Sequence, residues 1–400
     1  MAAMTACPFC FHKIDSSRLA YQCSGRGNQP CEKAPDPDRQ KLTGNPLATF
    51  CTFLPEPGRG PSAIQARATS AICPKCGGEA KRRACPTCHT ALPIDFVGSR
   101  NPMIGLVGSK GSGKTVLMTV LVRQMRDVIG RRYDADIRIA TDNPDGHQGM
   151  SDYQASREQP LYSKRTLPAG TSTFASRKYA TPIVLRWRQE TSGRFGTSLK
   201  STMLSLVDSA GEDLNNQETA FTLQYLSVCD SLIITLDPFA LPGARARVKL
   251  PKEATQVGDD VPLDVVDRIT QILRTEHGIR TNKKIKIPVA IVFTKIDAFY
   301  PTLEPQNQIM AAAPAVPWYD KADGQAVHEH MLALLHEWHA ENIDTQLRHN
   351  YSDYRYFGVS ALGAEPDYSS YQVAAGGVQP HRVEDPVLWL LSKAGTVRSA

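Results

Sequence analysis

Between Gly108 and Thr115 the chain reads Gly-Ser-Lys-Gly-Ser-Gly-Lys-Thr, the complete G-x-x-x-x-G-K-[ST] spacing of a phosphate-binding loop. Glycines at 108, 111 and 113 free the backbone to turn successive N–H groups inward on phosphate oxygens, with Ser109, Lys110 and Ser112 contributing their amides to the same cradle. Lys114 has the length to reach the terminal phosphates of a nucleotide, and the Thr115 hydroxyl is placed to hold Mg²⁺. A helix beginning near Lys114 adds the positive end of its dipole. Asp208-Ser209-Ala210-Gly211 closes an apolar run, so that Asp208 can hold Mg²⁺ through water and Gly211 can offer its N–H to a γ-phosphate. Thr294-Lys295-Ile296-Asp297 closes another. There the Asp297 carboxylate can accept from the ring N–H and exocyclic amine of guanine while the Lys295 stem lies along the base, a donor pair that adenine lacks. Ser360-Ala361-Leu362, after a further short strand, can present backbone to the guanine O6.

Cysteine supplies a second chemistry. Nine of the ten cysteines precede residue 90. Cys73, Cys76, Cys85 and Cys88 follow a C-x2-C-x8-C-x2-C pattern, and Cys7, Cys10, Cys23 and Cys31 a looser C-x2-C-x12-C-x7-C pattern. Taken in chain order these predict two four-cysteine Zn²⁺ sites, one per set. Cys51 stands between them in the apolar context Phe50-Cys51-Thr52-Phe53 and reads as a buried thiol; His12 and His89 read as solvent-facing neighbours. Disulfides are the competing explanation, but the chain has no secretory signal, and a cytosolic compartment keeps thiols reduced.

Charge qualifies any nucleic-acid reading. The net charge is +6, and residues 1–100 hold all of it, with 13 Lys and Arg against 7 Asp and Glu. Two Zn²⁺ ions on eight thiolates bring that region to about +2, which weakens the basic-patch argument. No apolar run approaches the length of a membrane span, and the expected location is the cytoplasm.

The elements that must position these residues follow from periodicity. Met103–Val107 predicts a buried strand feeding the phosphate loop, and Val116, Leu117, Val120, Leu121 and Met125 predict a helix to Gly130. Residues 181–189 and 201–207 predict a hairpin, with further strands at 231–236, 287–294 and 356–359. Helices are predicted at 217–228, 263–277, 325–347 and 385–393. The histidines at 328, 330, 336 and 339 have no carboxylate or Cys fixed at ligand spacing, and with Leu332, Leu335 and Trp338 marking a buried face they read as part of a helix rather than a metal site. The domain division is 1–34, a first zinc segment; 35–68, an extended Pro-rich connection; 69–92, a zinc ribbon; and 101–395, an α/β nucleotide domain with an insertion at 131–180.

Phosphate loop, D-x-x-G, [NT]-K-x-D and S-A-x occur in the order that resembles the translation-factor and Ras-like class of P-loop GTPases. Cysteine-rich ribbons before such a domain further resemble a bacterial double-GTPase family associated with conflict and defence systems. The resemblance implies a mostly parallel sheet with helices on both faces, with the strand at 181–189 antiparallel at its edge. It also implies GTP or GDP as ligand, with Mg²⁺ held by Thr115, Asp208 and a first-switch threonine, for which Thr171 is the choice and Thr173 and Thr181 are the alternatives. Lys114, Gly211, Thr171 and Glu212 become the catalytic set, with Glu212 standing where Ras-like members carry the water-positioning Gln and Thr294 where they carry Asn. The function that follows is a Mg²⁺-dependent GTP-hydrolysing switch, slow without an activator, whose zinc module contacts a protein partner. The alternatives are a GTP-dependent nucleic-acid-binding factor and a GTP-binding module with little turnover; no membrane contact is expected, and the oligomeric state is left open.

Overall fold

The computed structural model describes residues 4–55, 69–109, 111–140, 153–167, 182–193, 196–208, 224–249 and 261–400. Its N-terminal part is built from short strands tied by cysteine turns. They are β1 (Met4–Ala6), β2 (Lys13–Asp15), β3 (Ala20–Gln22), β4 (Thr52–Phe53), β5 (Ala71–Ile72), β6 (Glu79–Ala80) and β7 (Arg82–Ala84). β3 is the centre of a three-stranded sheet between β4 and β7, so the part before residue 34 and the part after 69 form one sheet. The stretch expected to be extended also contains a short helix, α1 (Pro37–Thr43). The Asp36 side chain caps its first turn by accepting from Arg39 N, and Gly44 ends it in the left-handed region.

The nucleotide domain is a seven-stranded sheet flanked by helices, the fold of a P-loop NTPase. Its strands are β8 (Met103–Gly108), β9 (Ala135–Ile139), β10 (Ile183–Gly193), β11 (Gly196–Asp208), β12 (Ser231–Leu236), β13 (Val289–Phe293) and β14 (Tyr354–Gly358), in the order β14-β13-β12-β8-β11-β10-β9. The five from β14 to β11 are parallel, and β10 runs antiparallel to both its neighbours. The expected antiparallel strand is therefore present but is not the edge. β9, inside the stretch assigned to an insertion, covers it along 185–189. Its sequence, ADIRI, is too short and too polar for periodicity to reveal.

Alternation along each central strand sends side chains to two cores. Ile104, Leu106, Ile233 and Val292 pack under α2 (Lys114–Gln124) and the C-terminal helix, whereas Val107, Ile234, Ile291 and Phe293 pack under three other helices. After α2 the chain passes through a wider turn at Met125–Ile129. Further helices among the described residues include α3 (Pro242–Arg245), α4 (Pro262–Glu276), α5 (Lys321–Glu337), α6 (Glu341–Asn350) and α7 (Asp385–Lys393). The single helix expected over 325–347 is two, broken where His339 takes a positive φ of 55°. His328 stacks on Tyr356 and accepts from its backbone N–H, and His330 accepts from Gln308 N. Both rings are thus occupied in packing.

The cysteine module is docked onto this domain. Phe11 is 1% exposed and lies in the same core as Val107, Val207 and Leu226, edge-on to Tyr225. Asp95 pairs with Arg186 and Arg188 on β10. His12, expected to face solvent, lies against the Gln224 amide.

Candidate nucleotide site and metal centres

β8 delivers the chain to the phosphate loop with every residue buried. At Gly108 a Cβ would lie 2.2 Å from Thr235 Oγ1 and 2.3 Å from Thr235 O, so β12 approaches too closely for any other residue. Gly113 holds φ 78° as the residue before α2. Hydroxyls brace the loop from the neighbouring strands: Ser112 Oγ lies 2.9 Å from Thr235 Oγ1, and Thr294 Oγ1 donates to Ser112 O at 2.9 Å. Lys114 Nζ donates to Gly108 O at 2.8 Å and Ser109 O at 2.7 Å, and so lies over the loop's own carbonyls.

The carboxyl ends of β8, β12, β13 and the segment after β14 open on one cavity of about 700 Å³. Gly111, Gly113, Lys114 and Thr115 line its phosphate-loop side; Thr294, Lys295, Asp297, Ser360, Ala361 and Leu362 line the rest of its floor. Three motifs far apart in the chain thus share one surface. Asp208 ends β11, its backbone paired beside Leu106. Lys110, Thr171, Thr173, Thr181, Gly211 and Glu212 lie outside the described residues.

Two features of this cavity escaped sequence reasoning. Asp237, 3% exposed, accepts from Phe239 N through Oδ1 and holds Lys295 Nζ at 2.6 Å through Oδ2. The ammonium also lies 5.2 Å from the Phe239 ring centre, so the side chain is fixed on two sides. Asp237 follows the apolar run Ser231–Leu236 as Asp208 follows 201–207, and that parallel was the available signal. The other feature is the loop carrying Pro366, Tyr368 and Tyr371, which walls the cavity together with Leu167, and no motif announces it.

The eight cysteines expected to bind metal do gather in two sets of four, but their partition is not the expected one. Cys7 and Cys10 meet Cys85 and Cys88, and Cys23 and Cys31 meet Cys73 and Cys76, each set with its ligand atoms within 4.8 Å of one another. The two sites are interleaved rather than sequential. Local spacing could not decide this, because each pair reaches its partner through the β3–β7 pairing, a long-range contact. Sulfur–sulfur distances of 3.8 Å for Cys7–Cys88 and Cys10–Cys85 and 3.4 Å for Cys23–Cys76 suit Zn²⁺. A tetrahedral ion bonded to sulfur at about 2.3 Å spaces its ligands by about 3.8 Å. Three of the pairs form the same turn, with Phe11, His89 and Gly77, each four residues after the first cysteine, at positive φ. Gly27 is required beside Cys76, where a Cβ would lie 2.1 Å from its carbonyl oxygen. Burial pushes the Cys7 thiol well above its ordinary value, and a bound cation would reverse that by favouring thiolate. With four protein ligands, Zn²⁺ would supply folding energy rather than an open reactive position. Cys51 is half-buried against the second set, outside both. His89 pairs with Asp36 at 2.8 Å instead of facing solvent.

No protein-family profile matches the chain. Among curated proteins it is similar to one of Mycolicibacterium smegmatis that carries the provisional name ESX-1 scaffolding and assembly protein SaeC. The two are 24% identical over 423 residues, spanning 98% of this chain and all of that one. Among solved structures it is similar to the signal recognition particle receptor SRb-GTP/SRX complex of Chaetomium thermophilum. That likeness is 15% identical and covers 68% of this chain and 96% of the other, at a TM-score of 0.30. The Arl6 BBS3 small GTPase of Trypanosoma brucei, with bound GppNp, is 13% identical over 74% of this chain and 98% of that one, at 0.28. The P-loop fold is carried by the sheet order and by the glycine-rich loop between β8 and α2. Among the described residues no helix is long and apolar enough to cross a membrane.

Proposed function

We propose that this chain is a GTP-binding, GTP-hydrolysing switch whose interleaved zinc module serves contact with a protein partner. The observation that carries the reading is the single cavity onto which the phosphate loop, Thr294-Lys295-Ile296-Asp297 and Ser360-Ala361-Leu362 open together. A nucleotide places its phosphates on Gly111–Thr115, where the loop amides and the α2 dipole favour negative charge. Lys114 exchanges the Gly108 and Ser109 carbonyls for phosphate oxygens and steadies charge on the transferring phosphoryl group. Asp297 accepts from the two guanine donors. Thr115 and Asp208, with Thr171, are the residues to hold Mg²⁺, which supplies charge neutralisation between phosphate oxygens when bound.

The zinc module is read as a protein-contact element because two occupied sites leave it little positive charge. The M. smegmatis relative, similar along its whole length, is itself named as a scaffolding and assembly protein. Placement in a defence system draws no support from that relative.

Equilibrium binding of GTP and ATP in the presence of Mg²⁺, to the wild type and to Asp297→Asn, tests the reading. Preference for GTP by tenfold or more, lost in the variant, is expected, since tenfold corresponds to about 1.4 kcal/mol and one charge-assisted donor pair supplies that. Equal affinity for both nucleotides, unchanged by the substitution, would overturn the guanine assignment.

A further inference from the structure

The loop after Ser360-Ala361-Leu362 is held far more tightly than a connection requires. Gly363 N donates to Ser360 Oγ at 2.8 Å, and Gln379 N donates back to Leu362 O at 2.8 Å. At its far end Asp367 and Gln372 exchange both backbone hydrogen bonds, while the Asp367 carboxylate accepts from the backbone and hydroxyls of Ser369 and Ser370. The returning arm is stitched to the segment before residue 168: Leu167 N donates to Tyr371 O and Val373 N to Arg165 O, both at 2.8 Å. This framework carries Tyr368 to the wall of the cavity, half-buried. Its charged neighbours are the carboxylates of Glu365, Asp237 and Asp297; burial first, then those charges, push its hydroxyl up to about 12. The same cavity is floored by Lys295, whose stem is fixed by Asp237 and Phe239.

We infer that Tyr368 is a base-stacking wall, presented by a rigid loop so that the purine of the bound nucleotide lies between its ring and the Lys295 stem. The inference rests on the nucleotide reading above and adds to it the residue that recognises the face of the base, where Asp297 recognises the edge. The chemistry is suited to the place. A flat, electron-rich heterocycle gains contact area from a Tyr ring and attraction from a cation held over its other face, and neither depends on a hydrogen bond to the exocyclic groups of the base. The ring alone is needed, because the hydroxyl stays protonated throughout the physiological range. An aromatic placed only to cover the core would belong to an apolar cluster; Tyr368 is in none of the cores among the described residues and is surrounded by acids.

The test compares wild type, Tyr368→Ala, Tyr368→Phe and Tyr368→Leu by equilibrium binding of three probes: GTP, inosine triphosphate, which lacks the exocyclic amine, and inorganic tripolyphosphate, which lacks the base. Melting temperatures check that each variant is folded. The expected result is a loss of about tenfold for both GTP and inosine triphosphate in the Ala and Leu variants, since both remove the aromatic face on which the base stacks. Phe holds wild-type affinity within about twofold, and tripolyphosphate binding is unchanged throughout. Wild-type affinity for GTP in folded Tyr368→Ala would overturn the inference. So would an equal loss for tripolyphosphate, which would make the loop a support of the phosphate end. Failure of the underlying reading looks different: there the wild type itself shows no preference for GTP and Asp297→Asn is silent, whatever Tyr368 does.

Discussion

At the scale of single residues, the cavity floor is set by buried polar atoms with assigned partners. Thr235, fully buried, braces Ser112 and donates to Val107 O, and Thr294 reaches Ser112 O from the other side. Thr294 is read as part of base selection; its hydroxyl also braces the phosphate loop, and it lines the cavity beside Lys295 and Asp297. Asp237 has the larger task, because it holds both a buried N–H and an ammonium. Asp237→Ala is expected to lower unfolding free energy by about 2–3 kcal/mol, the usual cost of orphaning a buried donor while breaking a charged hydrogen bond. Asp237→Asn keeps an acceptor for Phe239 N and should recover more than half of that in urea denaturation, while GTP affinity stays reduced about threefold or more because Lys295 is no longer held. An Asn variant with wild-type affinity would show that Lys295 needs no anchor.

At the scale of elements, the strands that carry motifs were legible because their signal is local. Four of the predicted positions, 103–107, 231–236, 287–294 and 356–359, fall on β8, β12, β13 and β14 with shifts of two residues or fewer at each end. β9 was not legible, since five residues with Asp and Arg among them become a strand only by pairing with β10. The cysteine turns show the same division. Each C-x-x-C pair is a local event and was readable; which pair shares an ion with which is decided by β3 meeting β7. Zinc content of double variants measures this directly. Cys10→Ser with Cys85→Ser should remove one of two bound Zn²⁺ ions, because both belong to one site, whereas Cys76→Ser with Cys85→Ser should remove both. The reverse outcome would restore the sequential pairing.

At the scale of the whole molecule, the module and the nucleotide domain share a core. Phe11 belongs to a turn of the first metal site yet packs against Tyr225 among strand residues of the central sheet, and Phe9 packs against Ala140, Val184 and Met203. The positive φ of Phe11 follows from its place four residues after Cys7, so the cysteine turn aims the ring that enters the domain. Phe11→Ala is expected to cost about 3–5 kcal/mol, the usual cost for a fully buried aromatic. A single thermal transition that moves down in this variant, and moves down again on chelation of zinc, is the expected observation. Two separate transitions, with the larger one untouched by either change, would show that the module is only tethered.

Phosphate loop, base motifs, thiol pairs and most of the strands could be read from the sequence alone because each depends on residues close in the chain: glycines that permit a turn, an acid at a strand end, two cysteines in one knuckle. The tertiary structure alone decided the interleaving of the two metal sites, the edge strand, the Asp237–Lys295 lock and the loop that brings Tyr368 to the cavity. Each of these joins segments far apart in sequence, and such a contact exists only after the sheet has brought its ends together, so no local pattern of residue types encodes it.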